Sequence, residues 1–326
     1  METILVADIG GTNSRFGRFE VHGNQLEFKD SIWLSTKDAS SFPDLLKTFD
    51  ESDFPLKVAD CDAAVIAVPG AIKGQTYAKP PNIPWDIDVS NAKQDFGVKS
   101  FFLINDFVAQ AYACRTQAVS DARLIKEGVI QEDRPLAVIG AGTGLGQSCL
   151  MPVEHAGFIA VPSEAGHASF GFVGDEENAY EAFVLERTGH PYPFGDFIVT
   201  GFGLTLLHEY LTGEKLNPAE VAATFHKNSK TLAMFARFYG RACRNYALCV
   251  VALGGVYIAG GLAAKNPSML THPEFTREFI NSPTYGFMLE DIPIYLNCNE
   301  ESGLWGAAFF GQLKVSTFPP IMPASY

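Results

Sequence analysis

No stretch of this sequence is apolar over the roughly 20 residues that a membrane-spanning helix needs. The longest candidate, Cys243 to Tyr257, is interrupted by Arg244, Asn245 and Gly254-Gly255. Basic charge is also scarce, with 24 Lys and Arg against 37 Asp and Glu and a formal net charge of −13. That balance opposes a nucleic-acid backbone or an anionic membrane surface as partner. It does not oppose a small phosphate ligand, which local amides and a metal ion can hold. The six cysteines, at 61, 114, 149, 243, 249 and 298, form no Cys-x-x-Cys and no His/Cys set at zinc spacing. Reduced core thiols and a cytoplasmic protein are expected. Met1-Glu2-Thr3 carries no basic region, and the apolar run after it leads straight into a glycine turn. It reads as a first strand, not a signal peptide.

What is present is the material of an ordinary folded α/β protein, 47% hydrophobic and 19% charged over 326 residues. That length exceeds what one core usually organises, so two domains are expected. Strand-like runs at Ile4–Asp8, Arg15–Glu20 and Gln25–Leu34 precede a helix at Ser41–Phe49, with Leu45, Leu46 and Phe49 at helical spacing. Asp62–Val68 reads as a buried strand, Ser90–Phe96 as a short capped helix and Phe101–Ile104 as a strand, giving the order βββαβαβ. The pattern restarts near Pro135 with strands at Leu136–Ile139, Gly146–Met151 and Phe158–Val161, then a long helical insertion. A helix at Ser229–Val251, a strand at Gly255–Ala259, a helix at Pro273–Ile280, a strand at Ile292–Leu296 and a helix at Ser302–Leu313 complete it. Each half places a Gly/Thr-rich turn between its first two strands. Two such halves suggest a cleft between domains, where ligands commonly bind.

The first turn, Asp8-Ile9-Gly10-Gly11-Thr12-Asn13-Ser14-Arg15, ends a strand on a carboxylate. Gly10 and Gly11 let the backbone approach a phosphate, and successive amides with Thr12 and Asn13 form an anion-binding nest. Asp8 can then hold Mg²⁺ directly or through a water. The competing reading is a plain tight hairpin. The second turn, Gly140 to Gly146 with Gly142, Thr143 and Gly144 at its centre, matches a superficial GxGxxG but leads into a strand, which argues against a dinucleotide site. Neither turn has the Gly-Lys-Ser/Thr of a Walker A loop. A third turn, Gly260-Gly261, ends a buried strand, and a base or ribose can lie against it. Ile104-Asn105-Asp106-Phe107 delivers an Asn-Asp pair at a strand end, where a carboxylate can accept the proton of an attacking hydroxyl. Alternatively, Asp106 caps a helix from Phe107 to Cys114. Glu164 and His167 can both present polar groups to a substrate bearing several hydroxyls. The other reading of that pair is a surface contact or half of a metal site.

Taken in order over nearly the whole chain, these motifs resemble the bacterial glucokinase family of the actin-like ATPase and sugar-kinase superfamily. The matching segments are Asp8–Arg15, Ala67–Gly70, Pro81–Trp85, Ile104–Phe107, Gly140–Gly146, Glu164–His167, Gly201–Leu204, Ile258–Gly261 and Gly303–Gly306. The resemblance implies a two-domain actin-like (ribonuclease H-like) hexokinase fold with an interdomain cleft. Residues 1–110 with about 303–326 would form the smaller α/β domain, and residues 111–302 the larger one with its helical insertion. It further implies transfer of the ATP γ-phosphate to the 6-hydroxyl of glucose with Mg²⁺, in a homodimer. Asp106 resembles the catalytic base, and Asn82, Asn105, Glu164 and His167 resemble sugar ligands. Two positions depart from the pattern. The usual sugar-contacting glutamate before Gly201 aligns with Asp196, one methylene shorter, and the Glu-Gly-Gly-His form appears as Glu164-Ala165-Gly166-His167. The second change is mild if Ala165 has an ordinary φ.

Two other readings compete with this one. Sugar-sensing regulators on the same scaffold carry an N-terminal helix-turn-helix or a cysteine-rich zinc motif, and this chain shows neither. An ATPase without a small acceptor leaves Asn105-Asp106 and Glu164-His167 unused.

Overall fold

The structure, a computed structural model, describes residues 2–154, 157–226 and 229–315. The chain gathers into two compact units. One comprises Met1–Asp121, Pro152–Pro162 and the chain from Asn299, and the other Ala122–Met151 with Ser163–Cys298.

In the first unit, β1 (Glu2–Ile9), β2 (Asn13–His22) and β3 (Gln25–Ser35) form an antiparallel meander. After α1 (Phe42–Glu51), β4 (Ala63–Val68) pairs parallel to β1. The short strands β5 (Ile72–Lys73), β6 (Tyr77–Ala78) and β7 (Ile87–Asp88) make a separate three-stranded sheet. Then α2 (Ala92–Asp95), β8 (Phe101–Asn105) and α3 (Asp106–Ala113) follow. The main sheet has the order β3-β2-β1-β4-β8, with β8 parallel to β4.

Burial explains this arrangement. Ile4 to Ala7 and every residue of β4 are buried, as continuous apolar runs in central parallel strands require. α1 starts where Ser41 Oγ accepts the Asp44 N–H, and it buries Phe42, Leu45, Leu46 and Phe49 against one face of the sheet. There Phe49 stacks on Phe16 of β2 at 4.6 Å. The last helix, Ser302–Val315, is apolar on nearly all sides and touches Ile4 and Val65 through Gly311. It also lies so close to α3 that a methyl on Gly306 would overlap the Ala109 carbonyl oxygen.

In the second unit, β9 (Arg123–Lys126), β10 (Leu136–Ala141) and β11 (Leu145–Val153) come first, while β12 (Gly157–Ser163), next in the chain, falls almost wholly in the Pro152–Pro162 segment of the first unit. The helical insertion is α4 (Gly174–Thr188), α5 (Gly195–Ile198), α6 (Gly201–Thr212) and α7 (Pro218–Ala223). The long α8 (Lys230–Val250) leads to β13 (Val256–Ala259), and α9 (Gly261–Lys265), α10 (Ser268–Thr271), α11 (Pro273–Phe279) and α12 (Gly286–Asp291) precede β14 (Ile294–Leu296). The strands of this unit run β11-β10-β13-β14-β9, parallel from β10 through β13 to β14.

Several expectations need correction. The first unit extends to residue 121, not 110, because α3 is still running there. Pro152–Pro162 also belong to it, where the Arg115 guanidinium lies 4.2 Å from the Phe158 ring. Residues 316–326 of the expected closing segment lie outside the described residues. The expected helix over Ser90–Phe96 shrinks to four residues, because Ser90 hydrogen-bonds back to Asp88. The small sheet and β9 were not anticipated. Four cysteines are buried as expected, but Cys249 and Cys298 are exposed; all six are free.

A buried ion network ties the helices of the second unit together. Arg241 of α8 donates to Glu177 of α4 at 2.5 Å and to Glu278 of α11 at 2.8 Å, and both Arg241 and Glu177 are 3% exposed. Burial pushes the Glu177 carboxyl up, but Arg241 and the Val173 N–H hold it below its ordinary value overall. The network's stabilisation is therefore complete above the unfolded Glu pKa of about 4.3 and is lost as pH falls through the lower folded value. Arg241→Met should cost about 3–5 kcal/mol in urea unfolding at pH 7, because it strands two buried carboxylates. Glu177→Gln should flatten the acid limb of the stability curve between pH 5 and 3; an unchanged limb would contradict the pairing.

Candidate functional site

The first unit gathers its sequence-predicted residues where β1, β4 and β8 end. Asp8 is the penultimate residue of β1 and pairs with Ala67, while Val68 pairs with Asn105. Between β1 and β2 the Gly10 N–H donates to Asn13 O at 3.0 Å, so the turn is a tight hairpin as well as a glycine nest. Thr12 and Asn13 are exposed on it. A Cβ on Gly11 would sit 2.7 Å from the Asn82 carbonyl, which brings Asn82 against the nest. Gly70, at φ +86, packs on Pro81, and its carbonyl accepts from Asn105 Nδ2 at 3.1 Å. Asn105, Gly70, Pro81-Asn82 and Gly11 are thus one continuous chain of contacts.

The helix cap differs from the sequence alternative. Asn105, not Asp106, caps α3: its Oδ1 accepts the N–H groups of Phe107 at 2.9 Å and Val108 at 3.2 Å. Asp106 is the first helical residue, half-buried, with Oδ1 accepting the Phe107 N–H at 2.9 Å. Its carboxylate stands at the positive end of the helix.

Burial pushes the Asp8 carboxyl above its ordinary value, and the Arg15 charge, opposite it in the hairpin, offsets part of this. Arg15 is itself fixed, 3.7 Å over the Trp33 ring and donating to Glu300 O at 2.5 Å. A Cβ on Gly303 would lie 3.0 Å from Asp8 Oδ2, so the first turn of the last helix rests on this carboxylate. No local pattern in the sequence marks Arg15, Glu300 or Gly303 as holding Asp8.

The second unit assembles a comparable cluster. Gly142 N–H donates to Gly144 O at 2.9 Å, and Gly142 O accepts from Gly201 N at 3.1 Å. Asp196 Oδ1 accepts the Leu145 N–H at 2.8 Å, which fastens the Gly142-Thr143-Gly144 turn to α5. His167 Nε2 is 4.0 Å from Asp196 Oδ2, and His167 N–H donates to Glu164 O at 3.0 Å. A Cβ on Gly166 would lie 2.8 Å from Asp196 Oδ1 and would overlap the Leu145 carbonyl oxygen. Ala165 has no positive φ, so its replacement of a glycine is unstrained. Gly260, at φ +91, packs on Ala141 at the end of β10, which places the Gly260-Gly261 turn beside the second glycine loop. Gly142 and Gly261 face open space.

Among the described residues, one metal-compatible group of three occurs, Glu20, His22 and Glu27 on the β2–β3 hairpin. Lys29 bridges its carboxylates at 3.3 and 2.6 Å, as in an ordinary surface ion-pair network.

Two α/β units, each with glycine turns and carboxylates at the ends of its strands, define a phosphotransferase scaffold of the actin-like hexokinase class. The model of the family described as Glucokinase matches residues 5–314. The glucokinase of Neisseria meningitidis is 31% identical over 93% of this chain and 93% of its own. That of Nostoc punctiforme is 27% identical over 94% and 98%. The crystal structure of a glucokinase from an Antarctic psychrotroph superposes with a TM-score of 0.82 at 27% identity, covering 97% of this chain and 100% of that one. A Balamuthia mandrillaris glucokinase solved with glucose reaches 0.77 at 18%, covering 95% and 93%. The chain belongs to the glucokinase family.

Gly166→Ala should push Leu145 and Asp196 apart. A fall in kcat/KM of about 10²-fold or more is expected in a folded protein, as for displaced positioning groups. Full activity would show that the loop tolerates the shift.

Proposed function

We propose that this enzyme transfers the γ-phosphate of ATP to the 6-hydroxyl of glucose, giving glucose 6-phosphate and ADP as the first step of glycolysis. The observation that carries the reading is the Asn105-Asp106 pair, locked at the end of β8 by the Gly70 carbonyl and touching the Asn82–Gly11 nest through it. In this family setting Asp106 accepts the proton of the attacking hydroxyl. Phosphoryl transfer has a loose transition state, so the base chiefly orients the nucleophile and need not be strong. Asn82, Asn105, Glu164, His167 and Asp196 hold the remaining hydroxyls by donating and accepting hydrogen bonds. The amides of Gly10 to Asn13 and of Gly142 to Gly144 cradle phosphate oxygens, and the ribose or base lies against Gly260-Gly261.

Asp8 suits a divalent cation. Burial disfavours its bare negative charge, and a cation would relieve that cost. Mg²⁺, when bound there directly or through water, neutralises charge on the transferring phosphates. A cytoplasmic homodimer is part of the same proposal.

Asp196 separates glucose from other hexoses as substrate. Its short side chain is committed to the Leu145 N–H, so its reach toward a sugar is set by the loop it holds. In a coupled assay across a hexose panel, ADP release should depend on sugar, with the highest kcat/KM for glucose. Asp106→Asn should lower kcat by at least about 10²-fold with KM for glucose changed only a few-fold. Sugar-independent ADP release would overturn the kinase reading, and a better hexose would overturn glucose alone.

A further inference from the structure

The Gly201-Phe202-Gly203-Leu204 motif opens α6, and packing accounts for three of its four residues. The Gly201 N–H donates to Gly142 O at 3.1 Å, which seats the helix on the second glycine turn. A Cβ on Gly203 would overlap the Ile198 carbonyl oxygen, so the first turn of α6 passes close against α5. Leu204 is fully buried in the core of the second unit. Phe202 is the exception, at 48% exposed. It forgoes the burial that usually makes a phenylalanine stabilising.

The exposed ring is nevertheless held. Phe197 of α5 makes a T-shaped contact with it at 5.6 Å, and Thr205 Oγ1 donates to the Phe202 carbonyl at 2.7 Å. Phe197 directly follows Asp196, whose Oδ1 anchors the glycine turn through the Leu145 N–H. The same short helix therefore positions both the turn and the ring. On the other side, Gly260 packs on the Ala141 carbonyl, one residue before Gly142. The Gly260-Gly261 turn and the start of α6 thus rest on neighbouring residues of one loop, while Gly142 and Gly261 face open space.

We propose that Phe202 is the stacking platform for the adenine base, a positioning residue for the phosphoryl donor. The inference rests on the reading of the glycine turns as the ATP site. With phosphates on the amides of Gly142 to Gly144, the base lies between the Gly260-Gly261 turn and the Phe202 ring. Aromatic stacking on a base is worth on the order of 10-fold or more in affinity. Because α5 fixes ring and turn together, a stacked base sets where the phosphates enter the cradle.

Binding to the full chain at saturating glucose separates the ring from the cradle. The probes are a non-hydrolysable ATP analogue and inorganic tripolyphosphate, which carries no base, each with Mg²⁺. Phe202→Leu keeps an apolar group against Phe197 but removes the ring. It should weaken the analogue by about 10-fold or more and tripolyphosphate, read as an inhibitor competitive with ATP, by less than about two-fold. Phe202→Trp should keep the analogue's affinity. In steady state the leucine variant should raise KM for ATP by about 10-fold while kcat falls less than about three-fold, as lost uniform binding requires. Retained analogue affinity in the leucine variant, or equal losses for both probes, would overturn the proposal and leave the ATP reading standing. An unaltered enzyme that binds no analogue would overturn that reading and this inference with it. Should tripolyphosphate fail to compete, the contrast of leucine with tryptophan decides: equal weakening by both refutes the platform.

Discussion

The close crossing of the last helix over α3 is the contact on which the first unit's site depends. With no side chain at Gly306, the helix backbone reaches the Ala109 carbonyl of α3. Ser302 Oγ then donates to Gln110 Oε1 at 2.6 Å, fixing the start of the last helix on the same partner. From that crossing, Gly303 lands on the Asp8 carboxylate, while α3 carries Asn105 and Asp106 at its own first turn. The close approach that Gly306 allows between the last helix and α3 therefore sets the spacing of the Asp8 and Asp106 carboxylates. No direct bond between those carboxylates is needed, because both are held by rigid helices whose separation is fixed by packing.

Much of the fold was legible because its central elements follow simple periodic rules. β1 and β4 read as unbroken apolar runs, and α1 shows its buried stripe at Phe42, Leu45, Leu46 and Phe49 with Ser41 ahead of it. The 21 residues of α8 were found to within one residue at each end. What escaped notice has little periodicity. Strands β5, β6 and β7 have two residues each, too few for alternation to register, and β9 is a short edge strand. The unit boundaries were missed for another reason. They depend on which distant segment a stretch packs against, as Phe158 does with Arg115, and nothing local encodes that choice.

The site shows the same division. Motif order singles out Asp8, Asn105, Asp106, Glu164, His167 and the glycine turns, which lie at or just beyond strand ends. The identity of the α3 cap was not decidable from type, since Asn and Asp cap equally well. The bond from Leu145 to Asp196 spans 51 residues and has no local signature. A weaker signal did exist: Gly166 and Gly195 flank the residues in question, and small residues there mark close backbone approach. The Arg241 network left no trace in the pattern, because its charged residues occupy helix positions that read as solvated faces.

Asp8 and Asp196 differ in how they are held, and that difference has consequences. Asp8 is buried, its charge balanced by Arg15, which Trp33 and Glu300 hold in turn. Such a group has little freedom to move and is suited to a fixed charge partner. Asp196 instead spends one oxygen on a backbone amide of the glycine loop and brings the other to 4.0 Å from His167. A longer side chain at this position would meet Gly144 and Gly166 at close range. The loop, Asp196 and His167 are then one packed unit. Altering the acid alone perturbs the Gly142-Thr143-Gly144 turn, because one carboxylate oxygen serves as that turn's anchor.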